Sequence, residues 1–225
     1  SFLTLFEADF HESSYGYRPK RSATQASLAI RESLYDKAAT VVEIDFESYF
    51  DSIPHGKLLK LISQKISDGA MLKLIKQSLK IGVNAEGHRI RRKIGVPQGS
   101  PISPLFSNIY LNLIDKIWNK MESPWRLYRF ADDVLLVCQR DGYKALEKFK
   151  EIAKRLDLKI NQSKTKVTRL TEGFDFVGYN FIKRKSPTSG KNTIYVSPAK
   201  SSEQKIRNSI KYKTSWRSPI KPDRK

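Results

Sequence analysis

The chain has 225 residues, and its 42 Lys and Arg stand against 23 Asp and Glu, a formal net charge of +19. That excess points to a polyanionic partner, while 39% hydrophobic and 11% aromatic residues supply a sizeable core, which excludes a disordered basic tail. No apolar run approaches the roughly 20 residues that span a bilayer, and no charged segment with an apolar core opens the chain, so neither a membrane anchor nor a secretory signal is expected. The single cysteine, Cys138, permits no internal disulfide and fits a reducing, cytosolic compartment.

The chain begins Ser1-Phe2-Leu3 without a methionine and runs straight into patterned sequence, so a piece of something longer is expected. In chain order, Ser22 to Ala38 reads as a helix with Ser22 as N-cap and Ala26, Ala29, Ile30 and Leu34 on one face. Val41 to Phe46 is a short β-branched and apolar run, expected as a buried strand. His55 to Ile66 and Met71 to Ile81 follow as two helices parted at Asp68-Gly69, and Val83 to Ile94 as a basic hairpin or loop. Pro101 to Met121 carries apolar residues at 105, 109, 113, 117 and 121, a spacing that predicts a long helix with Pro101 and Pro104 in its first turn. Trp125 to Phe130 and Val134 to Cys138 are strands joined across Ala131-Asp132-Asp133; Lys144 to Leu156 is an amphipathic helix; Lys166 to Leu170 and Phe174 to Phe181 are strands; Ser201 to Lys213 is helical. From residue 183 to the end, thirteen Lys and Arg face two acids, Glu203 and Asp223, and Pro187, Ser189, Gly190 and Pro198 interrupt the pattern, so a boundary is expected near residue 182.

Asp132 and Asp133 sit side by side between two hydrophobic strands, where adjacent carboxylates repel each other and a cation relieves the repulsion. Asp45 closes a second apolar strand, so a sheet pairing the two segments brings three carboxylates to one edge. Such a set suits two Mg²⁺ ions about 3.5–4 Å apart for phosphoryl transfer. A plain solvated turn is the competing reading, since Asp is common in turns.

Six blocks in order resemble the successive sequence blocks of bacterial reverse transcriptases, above all the group II intron-encoded (maturase-like) ones. They are SYGYRPKRSATQA (14–26), EIDFESYFDSIPH (43–55), GVPQGSPISPLFSNIYLN (95–112), YRFADDVLLV (128–137), LDLKINQSKTKV (156–167) and FDFVGYNF (174–181). The resemblance implies an α+β right-hand polymerase palm with an antiparallel sheet and packed helices, partial fingers and a truncated basic thumb or tail. Residues 1–182 become the fingers and palm, with fingers mainly 1–40 and 54–96, and 183–225 the basic C-terminal segment. The implied activity is RNA-directed DNA polymerisation by two-metal-ion phosphoryl transfer. Two alternatives stay open: a maturase-like RNA-binding protein that assists intron splicing, and a reverse transcriptase serving phage defence or CRISPR spacer acquisition.

Residue by residue, the resemblance makes Asp45, Asp132 and Asp133 the catalytic metal ligands, with the main-chain carbonyl of Phe46 beside them and Mn²⁺ as a substitute for Mg²⁺. Relatives usually carry Tyr where this chain has Phe130. Phe50 becomes the aromatic gate that selects deoxynucleotides, with a core residue as the alternative. Gln98 and Gly99 contact the incoming nucleotide, and Lys164 lies near its phosphates or is simply solvated. Arg18 and Arg21 meet nucleic acid or belong to an ordinary basic loop, and Gly178 lets the backbone approach the primer end. His55 reads as structural, because no second His or Cys lies at metal spacing. The implied partners are an RNA template, a DNA or RNA primer, deoxynucleoside triphosphates, and intron RNA or a fused or associated protein, with no membrane. The implied location is the bacterial cytosol, in association with nucleic acid.

Overall fold

The computed structural model describes residues 2–35, 37–83, 89–91, 94–97, 99–121 and 123–214. The chain divides into two compact units, Ser1–Arg169 and Leu170–Lys225. In the first unit the elements run α1 Phe2–Glu7, α2 Ala23–Tyr35, β1 Thr40–Ile44, α3 Tyr49–Ser52, α4 His55–Ser63, α5 Gly69–Lys80, β2 Ile81–Val83, β3 Arg89–Arg91, α6 Ser103–Asn119, β4 Trp125–Phe130, β5 Asp133–Cys138, α7 Gly142–Arg155 and β6 Lys166–Arg169.

Four of these strands form one antiparallel sheet in the order β4-β5-β1-β6. The run Val134–Cys138 is buried at every position because the sheet is covered on both faces. Period-two alternation sends Val134, Leu136 and Cys138, with Val42 and Ile44 of β1, into the main core beside Phe106, Tyr110, Trp118 and Phe149 of α6 and α7. The alternate residues Val41, Leu135 and Val137 lie on the opposite face, the side where α2 packs with Ala26, Ile30 and Leu34 buried. Local chemistry sets the helix starts: the Ser22 hydroxyl accepts from the Gln25 amide at 3.2 Å, as expected of an N-cap, and Asp68 Oδ1, at the expected break between two helices, accepts from the amides of Ala70 and Met71 at 2.8 and 3.1 Å.

Three expectations change. The four-residue apolar row of α6 does not define its buried face: Leu105 and Ile109 are buried, but Ile117 is exposed. Each four-residue step advances about 40° beyond a full turn, so the row winds off the core while 106, 110, 111, 114 and 118 stay on it. Pro104 does lie in the first turn of α6, whereas Pro101 precedes the helix. The run 174–181 is not one strand but β7 Phe174–Phe176 and β8 Tyr179–Lys185, folded back at Val177 and Gly178. Both turn residues have positive φ, 49° and 81°, as a two-residue hairpin of the primed type demands.

The second unit continues with β9 Asn192–Pro198, which pairs antiparallel with β8, and α8 Lys200–Thr214. Residue 182 therefore lies inside β8, in register with Tyr195, and the division between units falls at Arg169 and Leu170. The charge shift marks a change of surface within a three-stranded meander, not the hydrogen-bonded boundary. No residue of α8 is buried. Among the described residues no helix is long and apolar enough to cross a membrane.

Candidate active site

Antiparallel pairing of β1 with β5 ends at Ile44 opposite Val134. Asp45, one residue further, and Asp133, the first residue of β5, therefore come to the same sheet edge, with Asp132 in the turn between β4 and β5. That turn is tight: Phe130 pairs directly with Asp133, and Ala131 adopts φ +57°, a left-handed conformation that few residues other than glycine take. Asp45 is pinned from behind by the 161–165 turn. Its carbonyl accepts from the Asn161 amide at 2.8 Å and its amide donates to Thr165 Oγ1 at 3.4 Å.

The carboxylates feel one another. Asp133 retains exposed surface, yet its carboxyl is pushed up to about 6, first by partial loss of hydration and then by the charges of Asp132 and Asp45, with Lys164 pulling the other way. Oδ2 of Asp45 is buried and has no hydrogen-bond partner among the described residues; Lys164 Nζ stands 3.6 Å from it. Three hard oxygen donors, one of them orphaned and one reluctant to ionise, fit a divalent cation in kind. Among the described residues no three His, Cys, Asp or Glu side chains converge as a preformed metal site, so these side chains have to turn toward one another to hold an ion together.

The other expected residues fall into two groups. Phe46, Phe50, Gly99 and Lys164 share the first unit with the carboxylates. Phe46 buries its ring against Tyr49 and Phe149, with centroids 5.6 and 6.1 Å apart, which leaves only its main chain for the edge. Phe50 is half-buried on α3, edge-on to Tyr49 at 5.5 Å, and its carbonyl accepts from the Val96 amide at 2.7 Å, which ties α3 to the 94–97 loop. Gly99 has φ +84° with open space where a Cβ would point, and is exposed. Gln98 lies outside the described residues. His55 is structural as expected: its Nε2 donates to the carbonyl of Gly95 at 2.6 Å in a buried position.

Arg18 is the correction. Its side chain is 5% exposed and ion-pairs with Glu7 at 2.8 Å, while Nη1 donates to the carbonyls of His11 and Ser14 at 2.7 and 2.8 Å. The guanidinium is spent on folding the loop, leaving no open fork for nucleic acid. Arg21 instead stacks over Tyr15 at 5.3 Å and keeps partial exposure. Gly178 belongs to the second unit, where a Cβ would meet Ser202 Oγ at 3.0 Å. A cavity of about 370 Å³, lined by Glu12, Tyr15, Glu32, Trp125 and Tyr128 among others, shares no residue with the carboxylate edge.

Sequence reasoning passed over the frame behind the turn: Arg129 on β4, and Asn108 and Asp115 on α6, all buried. A signal for them exists. Asn108, Asn112, Asp115 and Asn119 form a polar row at helical spacing on a helix whose large side chains are mostly apolar, and Arg129 sets a charge inside a strand.

Residues 2–181 match the family model for reverse transcriptase (RNA-dependent DNA polymerase). Protein YkfC of Escherichia coli K12 is 32% identical over 81% of this chain and 58% of its own length. The group II intron-encoded protein LtrA of Lactococcus lactis subsp. cremoris is 34% identical over 50% of this chain and 19% of its own. The chain thus spans little more than half of the first of these relatives. Among solved structures, apo telomerase from Candida tropicalis, truncated from the C-terminal domain, superposes with a TM-score of 0.62 at 18% identity, covering 88% of this chain and 43% of that one. Telomerase from Candida albicans in complex with a fragment of telomeric RNA gives 0.63 at 18% identity, covering 88% and 36%. These likenesses show the α+β polymerase palm fold.

Proposed function

The chain belongs to the reverse transcriptase (RNA-dependent DNA polymerase) family, with sequence relatives among group II intron-encoded proteins, and we propose that it adds deoxynucleotides to the 3′ end of a primer paired with an RNA template. The observation that carries this reading is the edge where β1 meets β5, at which Asp45, Asp132 and Asp133 all lie, one oxygen orphaned and one proton held unusually late. Reverse transcriptases generally use divalent metal ions. Here the three carboxylates and the main-chain oxygen of Phe46 would hold two Mg²⁺ ions, or Mn²⁺ in their place. When bound, such ions favour the ionised primer hydroxyl and neutralise charge on the triphosphate.

The chain's own residues supply the rest. Lys164 pairs with Asp45 without a hydrogen bond and is largely exposed, so it is free to turn to the phosphates of an incoming nucleotide. Phe50 presents a bulky ring, braced by Tyr49, that excludes a 2′-hydroxyl. Gly99 lets main chain approach the nucleotide and Gln98 supplies an amide that both donates and accepts. Arg21 and the backbone at Gly178 contact template and primer. Residues 1–40 and 54–96 serve as fingers, and the basic surface tracks the nucleic-acid backbone in the cytosol. That telomerase is solved in complex with RNA supports an RNA template for this chain too; intron RNA and an associated protein remain further partners of the same reading.

The test is primer extension by the whole chain on an RNA template with Mg²⁺ and with EDTA. Asp132→Asn and Asp133→Asn are each expected to lower the rate by about 10²–10³-fold. Extension equal to wild type in both variants refutes the assignment.

A further inference from the structure

Arg129 and Asp115 form an ion pair with no exposed side-chain surface on either partner. The guanidinium stands three residues before Asp132 and every nitrogen is engaged. Nε donates to both carboxylate oxygens of Asp115 at 3.0 Å, Nη2 to Oδ2 at 2.6 Å, and Nη1 to Oδ1 of Asn108 at 2.8 Å and to the carbonyl of Ala131 at 2.9 Å. The last bond lands on the left-handed residue that begins the Asp132 turn. Asn108 passes the restraint onward, its Nδ2 donating to the carbonyl of Gly16 at 2.9 Å.

Gly16 backs the same turn from the other side. A Cβ there would lie 2.2 Å from the amide nitrogen of Ala131 and 2.9 Å from the carbonyl carbon of Phe130. The 13–16 segment is joined to β4 by main-chain bonds at 2.8 Å, from the Arg129 amide to Ser13 and from the Tyr15 amide to Arg129. The glycine in the tyrosine-rich block near the start of the chain is thus a spacer against the catalytic turn.

Burying a charge pair is a poor way to gain stability, since apolar residues of the same volume often do as well or better. A planar fork that bonds a helix and a turn at once does something an apolar residue cannot, which is to fix direction. A non-glycine residue in the left-handed region also needs surroundings that hold it there. We infer that Arg129, with Asp115, Asn108 and Gly16, is a positioning device: it holds Ala131 left-handed and so sets where the carboxylates of Asp132 and Asp133 point. The kinetic part of this inference rests on the polymerase reading; the ion-binding part does not.

Two variants of the whole chain test it. Arg129→Met with Asp115→Leu removes the pair and leaves no lone buried charge, whereas Gly16→Ala keeps the pair and presses on the turn alone. Thermal melting, Mn²⁺ binding by calorimetry without nucleic acid, and kcat and KM in primer extension are measured for both. The folded variants are expected to bind Mn²⁺ about 10–100-fold more weakly, with kcat down about 10²-fold and KM for the nucleotide within about 3-fold of wild type. A folded variant with wild-type Mn²⁺ affinity and kcat overturns the inference, and so does failure of both variants to fold, which makes the network a folding element only. If wild type extends no primer, the polymerase reading falls and Mn²⁺ affinity alone decides the positioning role. If wild type also binds no Mn²⁺, both readings fall.

Discussion

Removing one negative charge from the carboxylate edge is expected to stabilise the metal-free protein. In Asp133→Asn the backbone pairing with Phe130 is kept, and among the described residues the Asp133 side chain has no hydrogen bond to lose. The carboxyl of Asp133 rises from 3.8 to about 6, with partial desolvation the larger cause and Asp132 and Asp45 adding to it. The native state therefore holds this proton more tightly than the unfolded state does. Between about pH 4 and pH 6 it binds more protons, so stability falls as pH rises through that window and the full cost is present above about 6. Unscreened, a carboxyl raised from 3.8 to about 6 corresponds to about 3 kcal/mol. Asp133 is open to solvent, which reduces the usable part to about 1 kcal/mol.

For a chain of this size about 1 kcal/mol moves the melting temperature by about 2–4 °C. The assay is calorimetric melting in EDTA across pH 4.5 to 8. The variant should melt above wild type at pH 7.5, and the gap should close toward pH 4. Saturating Mg²⁺ or Mn²⁺ should reverse the order, because an ion at 100 times its dissociation constant stabilises wild type by about 2.7 kcal/mol and has one ligand fewer in the variant. A variant that melts with or below wild type in EDTA at every pH refutes the claim that these carboxylates strain one another.

Three further outcomes follow from single contacts. Phe50→Val should raise ribonucleotide use relative to deoxynucleotides by about 10–200-fold in kcat/KM, measured with paired substrates, since only a steric wall is being removed; unchanged sugar discrimination rules out the gate. His55→Ala should cost about 1–3 kcal/mol in urea unfolding, because the buried carbonyl of Gly95 loses its donor. Val177→Asn should stabilise the β7–β8 turn by about 1 kcal/mol in the same assay, as asparagine tolerates φ +49° far better than a β-branched residue.

What could be read from the sequence divides along a physical line. Local patterns gave the strands around Asp45 and Asp133, the capped start of α2 and the existence of α6, because alternation, capping chemistry and helical spacing act over a few residues. The placement of the three aspartates at one sheet edge needed the pairing of β1 with β5, which joins residues some ninety positions apart and is visible beforehand only through the family resemblance. Arg18 misled because a basic residue in a basic chain reads as a nucleic-acid contact, whereas its partner Glu7 lies in a helix that no pattern announced. The division at Arg169 was hidden by charge, since composition reports what faces solvent and the meander β7-β8-β9 is held by main-chain bonds that are blind to it.

The same distinction explains why the turn at Asp132 is written in two places. Its carboxylates are acidic residues beside apolar strands, conspicuous in any sequence. Its frame is one arginine, one aspartate and one asparagine inside an apolar core, together with a glycine about 115 positions before the turn. Each of those residues looks like a defect when considered alone: a charge within a strand, polar residues on a buried helix face, and a side chain missing from a loop. Together they satisfy one another's hydrogen bonds without leaving a partner in water, which is the condition under which a buried polar group is tolerated at all. Arg129 and Gly16 bear on the turn at Ala131 directly, and Asp115 and Asn108 bear on it through Arg129, so the polar cost is concentrated where the direction of Asp132 and Asp133 is set, as the positioning role proposed above requires.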